Sequence, residues 1–118
     1  MIELSVEVTH PSGGAAVVAL NGDHDLVTAD ETGRLFADLL AENDLVVVDV
    51  SQADFVDSSL IHNLARANGI AQADGKVFRL QMGTAPIVRS ALEVSGVLRV
   101  LDVVGSREEA IGERGGEP

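Results

Sequence analysis

Ile2, Leu4, Val6 and Val8 alternate with Glu3, Ser5, Glu7 and Thr9, the period of two expected of a strand with one wet face. Pro11-Ser12-Gly13-Gly14 supplies turn chemistry, and Ala15 to Leu20 reads as the returning strand. Asn21 to Val27 is polar and reads as a connection. Thr28 with Glu31 three residues later has capping-box spacing, and opens a helix whose apolar stripe is Leu35, Phe36, Leu39 and Leu40 and which stops near Asn43. Leu45 to Val50 is an almost unbroken β-branched run, the pattern of a central strand buried on both faces. After the mixed stretch Ser51 to Asp57 a second helix begins. Its inner positions are Leu60, Ile61, Leu64, Ala65 and Ala67, with His62, Asn63, Arg66 and Gln72 facing away, and Asp74-Gly75 ends the segment. Lys76 to Gln81 predicts another strand. Thr84 can cap a third helix with Ile87, Val88, Ala91 and Leu92 inside, and Gly96 suits its close. Val97 to Val104 is expected to be a short final strand, and Ser106 with Glu109 forms a second capping box for a terminal helix around Ala110 and Ile111.

The predicted order is therefore ββαβαβαβα. Alternating β and α units imply an α/β fold, with helices packed on a mixed, mostly parallel sheet to which the first hairpin adds an antiparallel edge. Residues 1–112 are expected to form one domain and 113–118 a frayed tail. No internal repeat or low-complexity segment interrupts the pattern. Ser51 to Asp57 falls just past the carboxyl end of the buried strand, which is where open α/β sheets usually build their sites.

Composition narrows this picture. The 118 residues are 46% hydrophobic but include three Phe, no Tyr and no Trp, so aliphatic side chains must fill the core. Nineteen acidic residues oppose eight basic ones for a formal net charge of −11. Such a surface repels phosphate backbones and anionic lipid, so neither nucleic acid nor membrane is an expected partner, and it favours a partner with a basic patch. With no cysteine, disulfides, thiolate metal sites and thiol switches are excluded. The first ten residues lack a basic-then-apolar signal pattern, and no apolar run approaches the ~18 residues of a membrane span, so a soluble, cytoplasmic chain is expected.

Of the chemistry-bearing clusters, Asp57-Ser58-Ser59 stands out. Two hydroxyls between a buried strand and an apolar helix are N-cap candidates, and either could instead accept a phosphoryl group, which free N–H groups and the helix dipole tolerate. Asp23-His24-Asp25 resembles a metal cluster, but neighbours on an extended chain point in alternating directions and no matching second ligand group exists. Asp57, Ser58 and His62 lie too close along one helix start to form a hydrolase triad, and there is no G-x-S-x-G elbow. An aspartic-protease site requires an all-β setting. No phosphate-binding G-x-x-x-x-G-K-[ST] loop occurs, nor the acidic pair and lysine of a receiver domain. No catalytic constellation or cofactor is expected.

The segment Val46-Val47-Val48-Asp49-Val50-Ser51-Gln52-Ala53-Asp54-Phe55-Val56-Asp57-Ser58-Ser59 resembles the signature of STAS domains, specifically bacterial anti-sigma factor antagonists. Gly22-Asp23-His24-Asp25-Leu26-Val27-Thr28-Ala29 is similar to that family's Gly-x-x-Asp-x-x-Thr-Ala element, and Val88 to Val97 to its third helix and exit. The resemblance implies a partner switch in which an anti-sigma factor with kinase activity phosphorylates Ser58, a serine phosphatase resets it, and the unphosphorylated form binds the kinase. It gives Asp23, Asp25, Asp57, Ser58, Ser59, Leu60 and His62 as the expected partner-binding set. The sequence departs from the family where glycine usually follows Asp-Ser-Ser: Leu60-Ile61-His62 adds bulk beside the acceptor. A second reading is thus a phosphorylation-independent scaffold or adaptor in a signalling or transporter complex. A third, a ligand sensor, has no convergent group behind it.

Overall fold

The computed structural model describes residues 5–24, 29–56, 58–83 and 86–105. Along the chain lie β1 (Ser5–Ser12), β2 (Ala15–His24), α1 (Ala29–Glu42), β3 (Leu45–Asp49) and β4 (Ala53–Val56). Then come α2 (Ser58–Ala73), β5 (Val77–Gln81), α3 (Pro86–Ser95), a 3-10 turn at Val97–Arg99 and β6 (Asp102–Val104). The sheet order is β1-β2-β3-β5-β6, with β4 also pairing with β2. Only β1 is antiparallel; the other neighbours are parallel. This is the mixed α/β architecture that the alternation of elements implies. Gly14, at φ +78°, makes the tight reversal between β1 and β2 that a side chain would strain.

Every residue of β3 is buried, which explains its unbroken apolar run. Val46 and Val48 enter the main core beneath the helices with Val18, Leu64, Leu80 and Leu92, while Leu45 and Val47 join Ala15 and Val17 in a smaller cluster on the opposite face. Two of the three phenylalanines anchor the main core: Phe36 of α1 meets Phe78 of β5 edge-on, ring centroids 5.6 Å apart. Such a pair contributes ~0.5–1.5 kcal/mol beyond its buried area. The exit of α1 is closed by Asn43, whose backbone N and Nδ2 both donate to the Leu39 carbonyl, at 2.9 and 3.0 Å.

Besides β4, a short strand inside the stretch read as a mixed link, three features differ from the sequence reading. First, β2 continues through His24, so part of the expected polar connection is strand. Second, the final strand is only Asp102–Val104. Gly96 takes φ +81°, and the N–H groups of Val100 and Leu101 both donate to the Val97 carbonyl at 3.1 Å, winding this stretch into a tight turn. Third, the buried stripe of α2 is Leu60, Leu64, Ala67, Asn68 and Ala71, with Ala65 exposed. Asn68 is tolerated inside because its Nδ2 donates to the Val100 carbonyl at 3.1 Å, fastening α2 to the turn after α3. The cap residues Thr28 and Thr84 and the terminal helix expected after Ser106 lie outside the described residues.

Candidate functional site

The site is built from one interrupted strand. β3 runs parallel to β2 from the pair Ala15↔Leu45 to Ala19↔Asp49. The chain then steps aside over Val50-Ser51-Gln52 and rejoins the same neighbour as β4, pairing Gly22↔Ala53, Asp23↔Phe55 and His24↔Val56. On the other side β5 accompanies β3 only, ending opposite Asp49 at Gln81. β4 thus carries the chain past the carboxyl end of β5. The register shift between Gly22 and Asp23 leaves Asp54 as an extra residue, a bulge of the kind that re-aims a strand beside a site.

Local chemistry fixes the step. Asp49 is buried, and its Oδ1 accepts the Ser51 N–H at 2.9 Å. The Val50 N–H donates to the Gln81 carbonyl at 3.0 Å, and the Ala53 N–H to the Val50 carbonyl at 3.1 Å, closing a turn. Gly83, just beyond β5, leans against this turn: a Cβ there would stand 2.9 Å from Cα and Cβ of Ser51. Only a residue without a side chain permits that approach. Neither Asp49 nor Gly83 was a candidate from sequence, although an aspartate closing a buried run and a glycine two residues past a strand are the available signals.

α2 opens two residues beyond β4, at Ser58. Ser58 is exposed, whereas Ser59 is half-buried and already engaged in an interaction. Leu60, at 3% exposure, belongs to the main core. His62 is exposed, one turn on from Ser58 and therefore on the same helix face. The backbone of Asp23 lies opposite Phe55 in β4, so the strands bring the block around residue 23 beside the block that ends in the two serines. The side chain of Asp23 and all of Asp25 and Asp57 lie outside the described residues. Among the described residues no group of three His, Cys, Asp or Glu is placed to hold a metal ion, and no helix is long and apolar enough to cross a membrane.

A family model described as "Mlab, STAS domain" matches residues 8–104. The chain belongs to the STAS domain family. Solved STAS structures share its architecture over nearly the whole length. An anti-sigma factor antagonist from Mycobacterium paratuberculosis aligns with a TM-score of 0.82 at 20% identity, covering 94% of this chain and 93% of that one. The antagonist SpoIIAA in its unphosphorylated form gives 0.79 at 17% identity, covering 97% and 99%. SpoIIAA of Bacillus, a cell fate determinant, in its phosphorylated form gives 0.70 at 16% identity, covering 93% and 99%. At these identities the likeness is one of fold. No curated protein matches the sequence. Within this STAS domain the β4–β2 pairing brings the strand leading to the Asp-Ser-Ser block beside the start of the Gly-x-x-Asp block.

Proposed function

We propose that this STAS domain is an anti-sigma factor antagonist in a phosphorylation-controlled partner switch, with Ser58 as the phosphoacceptor. The observation that carries the reading is the exposure of Ser58 at the opening of α2, two residues past β4, while Ser59 is already engaged. The family resemblance singles out Ser58 as the acceptor, and its exposure beside a half-buried, engaged Ser59 supports that choice. The fold shared with SpoIIAA, solved in both phosphorylated and unphosphorylated forms, supports the same assignment. The partner is an anti-sigma factor with kinase activity. Its ATP gives the γ-phosphoryl group to the Ser58 oxygen, ADP leaves, the hydroxyl proton passes to a base of the kinase, and a serine phosphatase later hydrolyses the ester. The domain itself binds and does no chemistry.

Phosphorylation adds about −1.5 to −2 charge. A helix start tolerates that charge, so the fold persists and the loss falls on the interface, where a strongly hydrated group faces a surface shaped for a hydroxyl. Of the two bulky departures beside the acceptor, Leu60 is absorbed by the core, leaving His62 as the one a partner meets. That exposed His62 is also what favours the second reading, a phosphorylation-independent adaptor. Incubation with the captured kinase and ATP should place one phosphate on Ser58 by mass spectrometry. Ser58→Ala should bind the kinase like wild type, and Ser58→Glu at least ~10-fold more weakly, the scale of a poorly paired interfacial charge. Equal binding by both variants with no phosphate transfer selects the adaptor.

A further inference from the structure

α1 and α2 both start at the carboxyl edge of the sheet and run side by side. Between them lies a groove of about 340 Å³ lined by Asp30, Gly33, Arg34, Asn63, Arg66 and Ile70, among others. Gly33 opens it, since a Cβ there would stand 3.0 Å from Asn63 Oδ1. Arg34 and Arg66 are exposed, and neither has a hydrogen-bond or ion-pair partner among the described residues. Of the other described cations, Arg79 is bound to Asp102, Arg89 to Glu93 and Lys76 to the Leu40 carbonyl, while Arg99 stands alone on the 3-10 turn, away from this groove. A chain with only eight basic residues against nineteen acidic ones thus places two arginines without a described partner, one from each helix, on the walls of a single groove. Asp30 offsets one of the two charges at most.

The groove lies on the flank that a partner seated on Ser58 must cover. Arg66 is eight residues along α2, ~12 Å at the helical rise. A standard interface of ~800 Å² per partner reaches about 16 Å from its centre if roughly circular. A partner recruited by the acid of the remaining surface is basic overall, and the net positive charge left by two arginines against Asp30 would repel it here. We infer that the anti-sigma partner inserts an acidic segment, with at least one Asp or Glu side chain, between Arg34 and Arg66. This rests on the partner-switch reading and adds to it a register lock: a local inversion of charge that admits only partners carrying acid at one place within a basic surface. Guanidinium suits this task because its fixed fork of donors matches a carboxylate.

Two experiments test it. On the free protein, a capped Glu-Asp-Glu-Asp peptide is titrated while the arginine Nε–H resonances are followed, with inorganic phosphate at matched ionic strength as comparison. Arg34 and Arg66 should shift with the peptide, ~10-fold more strongly than with phosphate as expected for a multidentate carboxylate ligand, and R34A/R66A should abolish the response. No shift overturns the proposal, and an equal response to phosphate assigns the groove to small anions instead. On the complex with the captured partner, R34E and R66E should each weaken affinity at least ~10-fold, the scale of a close interfacial charge pair. R99E makes the same change of net charge at another exposed, unpaired arginine and should have a much smaller effect. Equal losses for all three reduce the arginines to long-range steering and overturn the lock. Normal sensitivity to these arginines with no sensitivity to Ser58→Glu would instead sink the phosphorylation switch while leaving the groove intact.

Discussion

Asp49 and Gly83 do for this site what its hydroxyl-bearing residues cannot do for themselves. The serines could sit on any helix start; the step that delivers them depends on one buried carboxylate accepting the Ser51 N–H and on one glycine pressed against Ser51. Substituting Gly83 by alanine puts a methyl group 2.9 Å from backbone as well as side-chain carbon, a contact that must be relieved by movement. Gly83→Ala should cost ~1–3 kcal/mol, the usual range for overpacking. Urea denaturation gives the value, and a midpoint equal to wild type would mean that the segment after β5 yields freely. Sequence could not disclose this residue, because the approach is between segments about thirty positions apart and leaves no local pattern.

At the scale of elements, periodicity located each described helix and most strands, since burial on one face enforces it. It failed where burial depends on what lies opposite. Ala65 looks as apolar as Ala67, yet α2 is rotated so that Leu60, Leu64, Ala67, Asn68 and Ala71 face inward. Asn68 is inside because the Val100 carbonyl is there to receive it, a pairing invisible from α2 alone. Leu64→Ala should therefore cost ~2–5 kcal/mol by opening a cavity in a fully buried position. By contrast Ala65→Ser should stay within ~0.5 kcal/mol of wild type in thermal unfolding. A large loss from the second substitution would restore the face expected from sequence. β4 escaped notice for a related reason. Ala53-Asp54-Phe55-Val56 is too short and too mixed to show alternation, and only its pairing with β2 makes it a strand. The candidate site fared unevenly: the Asp-Ser-Ser block and the choice of Ser58 could be read from residue types and family resemblance, but the exposure of Ser58 and the burial of Leu60 required the fold.

For the whole molecule, the asymmetry of β2 organises everything else. Along its length it meets β1 on one side, and β3 then β4 on the other, so both blocks of the family pattern are hung from a single strand. The helices lie over this frame, with α1 and α2 packed side by side. Net charge acts at the same scale, drawing a basic partner over long distances, while the two arginines of the α1–α2 groove select among those that arrive. On the proposed reading, function is spread over three ranges: a hydroxyl at contact, a groove one interface radius away, and a field around the whole.

The step between β3 and β4 also sets a clock. β3 is held on both sides, by β2 and β5, whereas no strand pairing continues from β5 onto β4. Opening β4 therefore severs one ladder where opening β3 severs two, and amide deuteration should be faster over residues 53–56 than over 45–49 by the ratio of the two opening populations. Mass-spectrometric exchange at neutral pH reads this directly, and equal protection of both segments would mean that they open as one unit. With that difference, β4 can open and re-form while β3 stays paired on both sides. A covalent mark on the turn could then be written and erased while the rest of the chain keeps its shape.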